Sequence, residues 1–278
     1  MLRTRLLVLI LVLLMGPNLS AAMPSFRKVM IVVFENTSYS RALGLPFFST
    51  LAKQGALLKN SHGVTHPSQP NYVAMIAGDT LGVTSDTLID LDGRTIADLL
   101  EQNGKSWKAY ADAYPGACYL DYAKRPYVRK HLPFLSFKNI QSTPGRCGKI
   151  VNSDALKADI QAGTLPDYSF FVPDLNHDGH DTSAKIADQW AGETLGPLLK
   201  DRRFMDGLLL VVTFDEDDGV TTENHIYTVL VGDSVQAGSV SDTRYDHYSV
   251  LRTIEDAWKL GTLQKNDLKA LPIMGVWK

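Results

Sequence analysis

Two apolar stretches, KVMIVVF at Lys28–Phe34 and LLLVVTF at Leu208–Phe214, decide the fold of this chain. Both have the length of a strand and do not alternate polar with apolar residues, which is typical of parallel strands covered on both faces. His225–Val231 has the same character, and Tyr168–Val172 and Trp107–Tyr110 are weaker strand candidates. Helical patterns lie between the strands, at Pro46–Gln54, Thr95–Gln102, Ala184–Leu199 and Tyr248–Leu260. Alternating strands and helices predict an α/β fold, with a mostly parallel sheet sandwiched between helices.

The overall composition is that of a globular protein. Of 278 residues, 45% are hydrophobic and 21% are charged, which excludes disordered, collagen-like and coiled-coil chains. The formal net charge is −2, so electrostatics give no reason to expect a nucleic-acid partner.

The first 22 residues have the pattern of a secretory signal peptide. Arg3 and Arg5 precede an apolar run, Leu6–Met15, and Ser20 and Ala22 supply small residues at a cleavage site. A membrane anchor is the alternative, but spanning a bilayer takes roughly 20 apolar residues. We therefore expect cleavage after Ala22, a mature chain of residues 23–278 without stable membrane insertion, and a periplasmic or secreted location.

Two cysteines follow the predicted signal peptide. In an oxidising compartment Cys118 and Cys147 suggest one disulfide. A catalytic thiol is less favoured, because neither cysteine has a histidine in a nearby motif. We interpret both cysteines as structural.

Oxygen-bearing side chains follow the two main strands directly. Glu35 and Asn36 come after the first strand, and Asp215 and Glu216 open the acidic run after the second. Carboxyl ends of strands meet at the ligand-binding edge of an α/β sheet. The alternatives are a solvated acidic turn and a helix cap at Asn36. A bound cation would relieve the repulsion between these carboxylates, and an all-oxygen set favours Ca²⁺, Mg²⁺ or Mn²⁺ over Zn²⁺.

Ser68 lies in the segment HPSQPNY, directly before a helical pattern. A hydroxyl near a helix N-terminus is well placed to receive a phosphate, because free N–H groups and the helix dipole favour anions there. By itself, a serine that merely caps the helix is the simpler interpretation. The G-x-S-x-G pattern of acyl-transfer enzymes is absent, so activation of the serine by a metal is the better hypothesis.

Two further segments carry acid, base or ligand side chains. Asp178 and His180 lie in DLNHDGHD at 174–181, where two imidazoles alternate with carboxylates. A polar turn is the alternative, and an EF-hand loop is rejected because Ile186 holds the twelfth position, where that loop needs glutamate. His247 precedes a helical pattern and could equally be a capping or packed residue.

The motifs together resemble one family. They are VVFENTSY, THPSQPNYVAMIAG, PDLNHDGHD, VVTFDEDDG and DHYSVLRTIEDAWKLG, in unbroken order along the chain. They are similar to those of the phosphoesterase family within the alkaline-phosphatase-like superfamily, which includes secreted acid phosphatases and metal-dependent phospholipases C. The resemblance implies a single alkaline-phosphatase-like domain over residues 23–278.

The resemblance also implies roles for the site residues. It places Ser68 as the nucleophile and Asn71 on a phosphate oxygen. The implied metal ligands are Glu35, Asn36, Asp215 and Glu216. The implied second-metal ligands or transition-state donors are Asp178, His180 and His247. The two-zinc members have histidine in place of Glu216 and aspartate in place of Glu35, so we expect one divalent metal ion, with a second near Asp178, His180 and His247 left open.

The expected function is that of a secreted metal-dependent phosphomonoesterase working through a phosphoserine, with His180 or His247 as acid and base. Its substrate would be a phosphate monoester, with a phosphoinositide as one candidate. A phospholipase C-type phosphodiesterase is the alternative within enzymes. A non-catalytic Ca²⁺-dependent binding protein is the alternative outside them.

Overall fold

A computed structural model of the protein describes residues 24–219 and 222–278. The predicted signal peptide, residues 1–22, lies outside the described residues and stays a prediction. The mature domain of residues 23–278 likewise stays a prediction.

The described residues form a central sheet whose neighbouring strands are mostly parallel. Numbered in chain order, its strands run across the sheet as β12 (Val240–Ser241), β2 (Ala56–Leu58), β11 (Thr228–Gly232), β9 (Leu208–Phe214), β1 (Lys28–Phe34), β8 (Tyr168–Val172), β4 (Trp107–Ala111) and β7 (Ile150–Asn152). A second small sheet has the order β10 (His225–Ile226), β3 (Ser61–His62) and β13 (Tyr245–Asp246). A separate ribbon joins β5 (Ala123–Lys124) to β6 (Tyr127–Val128).

Helices cover both faces of the central sheet. They are α1 (Tyr39–Leu43), α2 (Pro46–Gln54), α3 (Ser68–Ala77), α4 (Ile96–Gln102), α5 (Lys138–Gln141), α6 (Pro144–Cys147), α7 (Asp154–Ala162), α8 (Ala184–Leu198), α9 (Arg202–Met205) and α10 (His247–Trp258). Short 3₁₀ helices occupy Arg129–His131, Pro133–Ser136 and Asn266–Leu268.

The central strand β1 explains why the sheet is buried on both sides. Its odd-numbered residues from Val29 to Val33 pack in the core layer of α3, α4 and α10. Its even-numbered residues from Met30 to Phe34 pack in the opposite layer with α2, α7 and α8. A strand that is apolar on both faces therefore lies at the centre of the sandwich, as the sequence predicted.

The fold class is confirmed, and so are four of the five strand predictions, three with the same boundaries and Trp107–Tyr110 with one residue more. The prediction for His225–Val231 as one parallel strand is wrong. The structure divides it at Tyr227, and β11 runs antiparallel to both β9 and β2. Parallel neighbours need a crossover, usually a helix, whereas the described residues between β9 and β11 contain none.

Cys118 and Cys147 form a disulfide, with Cα atoms 5.6 Å apart, so the structural interpretation of both cysteines is confirmed. The bridge ties the segment before β5 to the end of α6. None of the helices in the described part of the chain is long and apolar enough to cross a membrane.

Candidate active site

Three segments meet at the carboxyl edge of the sheet. Strands β1 and β9 pair in register up to Phe34 and Phe214, so both end at the same level. The main-chain N–H of Asp215 then donates to the carbonyl oxygen of Phe34 at 2.9 Å. The N–H of Glu35 donates to the carbonyl oxygen of Asp178, also at 2.9 Å, in the loop after β8. These bonds bring the predicted ligands of separate strands to one place.

Ser68 lies among those ligands, as the first residue of α3. Its Oγ donates to Glu35 Oε2 at 2.8 Å and lies 3.2 Å from Glu216 Oε1. The Ser68 side chain is held firmly, since all ten residues of α3 are buried. The hydroxyl therefore faces two carboxylates at the strand ends.

Asn36 adds an amide to the same cluster from a left-handed backbone position (φ 46°). With its nitrogen turned inward, it would donate to Glu35 Oε2 at 3.1 Å and to Glu216 Oε1 at 3.2 Å. With its oxygen inward, that oxygen lies 3.4 Å from Ser68 Oγ. Asn36 can thus serve the cluster as a donor or as a further oxygen ligand.

The carboxylates of the cluster are poorly solvated. Burial, followed by the charge of Asp215, raises the pKa of Glu35 well above its ordinary value. Burial and the charge of Glu216 do the same to the pKa of Asp215, and burial raises the pKa of Glu216 to about 7. Glu35 Oε1 and Asp215 Oδ2 are buried without a hydrogen-bond partner. The donors around the cluster thus leave two of its buried carboxyl oxygens unsatisfied.

This donor set fits a hard divalent cation. Buried oxygens without partners, three carboxylates and one amide are the ligands that such ions take. No group of three or more His, Cys, Asp or Glu side chains among residues 24–219 and 222–278 forms a ready-made metal centre. The fit thus rests on donor chemistry and on the orphaned oxygens.

His131 is a component of the site that sequence reasoning missed. Its Nε2 lies 3.2 Å from Glu35 Oε1, and its Nδ1 lies 3.3 Å from Asp178 Oδ2. The ring stacks on Tyr72 at 5.0 Å, and burial lowers its pKa to about 4. The stretch YVRKH has the composition of a solvated basic surface, yet Arg129, Lys130 and His131 are all buried.

His66, two residues before Ser68, was also missed. Its Nδ1 lies 2.6 Å from Glu216 Oε2, and its side chain is 38% exposed. It therefore fixes the carboxylate oxygen of Glu216 that does not face Ser68. In the sequence, the feature that could have pointed to His66 was its place directly before Pro67 in the segment HPSQPNY.

Asp178 and His180 lie on the other side of His131. Burial raises the pKa of Asp178 to about 7. Asp178 Oδ1 accepts from the main-chain N–H of His180 at 2.8 Å. The His180 Nδ1 lies 2.7 Å from Asp181 Oδ1, so Nε2 is the ring nitrogen available for proton transfer.

Two predicted residues have other contacts in the structure. Asn71 Oδ1 accepts from the N–H groups of Val64 and Thr65, and its nitrogen donates to the carbonyl oxygens of Thr65 and Pro67. Its carboxamide is thus fully engaged within the loop before α3, which does not fit the predicted contact with a phosphate oxygen. Asn71 instead holds the loop that leads to Ser68.

His247 is buried at the start of α10, and its Nε2 lies 2.6 Å from the carbonyl oxygen of Asp215. That nitrogen is committed to the main chain of the strand end. His247 thereby orients the peptide that carries Asp215. A role as acid, base or second-metal ligand would fall to its other ring nitrogen, Nδ1, and stays a prediction.

Several known proteins are similar to this chain over most of its length. The family model described as "Phosphoesterase family" matches residues 38–261. A probable acid phosphatase of Kluyveromyces lactis is 35% identical over 255 residues, covering 87% of this chain and 61% of that protein. The phosphatidylinositol-3-phosphatase of Mycobacterium tuberculosis is 33% identical over 264 residues, covering 93% of this chain and 85% of that protein. The chain thus spans about three fifths of the fungal relative.

Solved structures show the same fold. A protein of the alkaline phosphatase superfamily from Vibrio parahaemolyticus superposes with a TM-score of 0.60 at 14% identity, covering 92% of this chain and 75% of that one. At this identity the likeness concerns the fold, a mostly parallel sheet between helices.

Proposed function

This chain belongs to the Phosphoesterase family, and on that premise we propose that it is a metal-dependent phosphomonoesterase that carries the phosphoryl group on Ser68. One observation carries the proposal. Ser68 Oγ, at the first residue of a buried helix, lies within 3.2 Å of oxygens of both Glu35 and Glu216. A serine that only caps a helix has no need of two buried carboxylates from separate strands.

Glu35, Asn36, Asp215 and Glu216 would hold the divalent cation. When bound, that ion supplies positive charge that lowers the pKa of the serine hydroxyl and offsets the charge on the phosphoryl group. The all-oxygen set supports Ca²⁺, Mg²⁺ or Mn²⁺ over Zn²⁺.

The chain's own groups account for the rest of the reaction. Ser68 Oγ attacks phosphorus in line, its proton passes to Glu35 or Glu216, and the bond from phosphorus to the ester oxygen breaks. His180 Nε2 gives the departing alcohol a proton. A water, deprotonated by the same imidazole, then attacks the phosphoserine, the bond from phosphorus to Oγ breaks, and Oγ takes its proton back from the carboxyl group. One ester and one water thus yield one alcohol and one inorganic phosphate.

The substrate class follows from the relatives. The relatives are named as a probable acid phosphatase and a phosphatidylinositol-3-phosphatase, so we propose a phosphate monoester substrate, with a phosphoinositide as one candidate. We also propose an exported protein, which the Cys118–Cys147 disulfide supports, because such bonds persist in oxidising compartments.

The test compares the mature chain with Ser68→Ala and a matched control, Ser169→Ala. Ser169 is equally buried but lies within β8. Hydrolysis of para-nitrophenyl phosphate should fall by about 10³-fold or more in Ser68→Ala and with chelator, and only slightly in the control. Acid-quenched wild-type protein should yield a phosphorylated Ser68 peptide by mass spectrometry.

Other outcomes would change the proposal. Turnover of the bis-ester alone would favour a phospholipase C-type phosphodiesterase. Absence of turnover on both esters with added Ca²⁺, Mg²⁺ and Mn²⁺ would contradict an enzymatic role.

A further inference from the structure

Lys130 is a buried cation that the reaction above does not use. It lies in the 3₁₀ helix Arg129–His131, and its side chain is 7% exposed. Its Nζ lies 2.6 Å from Asp86 Oδ2, whose side chain is 25% exposed. Burying an ammonium group costs free energy unless the group is paired, and Asp86 supplies that pair. Lys130 therefore belongs to the packed interior and not to a solvated basic surface.

Asp86 connects this lysine to the candidate nucleophile. While Oδ2 accepts from Lys130, Oδ1 accepts from the main-chain N–H of Gln69 at 2.9 Å. Gln69 follows Ser68 directly in the first turn of α3. A continuous hydrogen-bonded path thus runs from Lys130 through Asp86 to the peptide beside Ser68.

The charge of Lys130 is retained despite its burial. Burial alone lowers the pKa of Lys130, but the charge of Glu35 and the hydrogen bond to Asp86 outweigh it and raise the pKa above its ordinary value. The amine is therefore charged near neutral pH. It pairs with the Asp86 side chain close to the N-terminus of α3.

We propose that Lys130 is a positioning residue that acts through Asp86 to hold the first turn of α3, so that Ser68 Oγ keeps its contacts with Glu35 and Glu216. The expected effect on kcat rests on the proposed function. A displacement of about 1 Å at a reacting group can lower a rate by about 10²-fold. A lysine that bound the phosphate directly would instead affect mainly substrate affinity.

The experiment uses Lys130→Met, Lys130→Arg and Asp86→Asn in the full mature protein. Lys138→Met is the matched control, because Lys138 forms a pair of similar length with Asp92 (2.7 Å) that is exposed at both side chains. Circular dichroism establishes that each variant is folded. Lys130→Arg and Asp86→Asn remain informative if Lys130→Met does not fold.

On para-nitrophenyl phosphate, Lys130→Met and Asp86→Asn should each lower kcat by about 10- to 100-fold while KM changes by less than about threefold. The double variant should lose little more kcat than either single variant, because both substitutions break the same hydrogen-bonded path. Lys130→Arg should recover most of kcat, and Lys138→Met should match the wild type. An unchanged kcat, or a raised KM with kcat intact, would overturn the proposal.

Hydrogen exchange gives a readout that does not depend on activity. The Gln69 amide should exchange faster in Lys130→Met and Asp86→Asn than in the wild type and Lys138→Met. Unchanged exchange at Gln69 would overturn the positioning role. If the wild type has no phosphatase activity but the Gln69 amide still exchanges faster in Lys130→Met and Asp86→Asn, the proposed function is refuted and the positioning role stands.

Discussion

Two buried carboxyl clusters in this protein differ in one instructive way. The first is the site cluster of Glu35, Asp215 and Glu216. The second is the pair of Glu255 in α10 and Asp267 in the following 3₁₀ helix, which are 1% and 0% exposed. Burial and the charge of Asp267 raise the pKa of Glu255 to about 9, so both clusters contain strongly perturbed acids.

The Glu255–Asp267 pair has a local structural explanation. Asp267 accepts from the main-chain N–H groups of Leu263 and Lys265, at 2.6 and 2.8 Å, and so shapes its own turn. Glu255 is protonated near neutral pH, and that proton removes the charge repulsion within the pair. The pair joins residues that are close in sequence and needs no ligand.

The site cluster has no such explanation. Its members come from strand ends far apart in sequence and converge on one serine hydroxyl. Orphaned oxygens do not separate the clusters, because Glu35 Oε1, Asp215 Oδ2 and both carboxyl oxygens of Glu255 are buried without a hydrogen-bond partner. A raised pKa alone therefore does not identify a functional site, whereas convergence of separate elements on a nucleophile does.

The largest expected difference between the clusters is in catalysis. Glu35→Gln should lower kcat/KM on para-nitrophenyl phosphate by about 10²-fold or more, since it removes a charge beside the nucleophile. Glu255→Gln should change it by less than about twofold, because the amide resembles the protonated acid already present. Steady-state kinetics measures both. Equal losses in the two variants would contradict the distinction.

The next difference is in cation binding. Adding Ca²⁺, Mg²⁺ or Mn²⁺ to chelator-treated protein should raise Tm, since a ligand at 100 times its Kd stabilises the folded state by about 2.7 kcal/mol. The cation should raise the Tm of Glu255→Gln as much as that of the wild type, and it should raise the Tm of Glu35→Gln much less. Differential scanning calorimetry provides the measurement. A rise of the same size in both variants would place the cation outside the site cluster.

Local sequence patterns predicted one part of the site and not the other. Glu35, Asp215 and Ser68 were predictable because strand ends and a helix start can be read from short segments. The place of His131 depends on how a 3₁₀ helix packs against α3, which no local pattern contains. The direction of β11 depends on the connection after β9, and the contacts of Asn71 depend on a loop conformation.

The smallest expected difference is in the pH dependence of stability. Glu216 and Glu255 have ordinary pKa values of 4.5, raised in the folded protein to about 7 and about 9. The folded state therefore binds the proton more tightly than the unfolded state. The resulting stability is fully present below pH 4.5 and is lost as the pH rises through about 7 for Glu216 and about 9 for Glu255.

In chelator, Tm should fall as the pH rises from 4.5, and Glu255 should contribute to the decline up to about pH 9, together with the site carboxyls Glu35 and Asp215, whose pKa values burial raises well above the ordinary range. One proton contributes at most about 1.4 kcal/mol per pH unit. Glu255→Gln should make the decline shallower, whereas saturating cation should remove the part that comes from the site carboxylates, because it binds them in the ionised form. Thermal scans across pH test this, and a Glu255→Gln profile parallel to the wild type above pH 7 would contradict it.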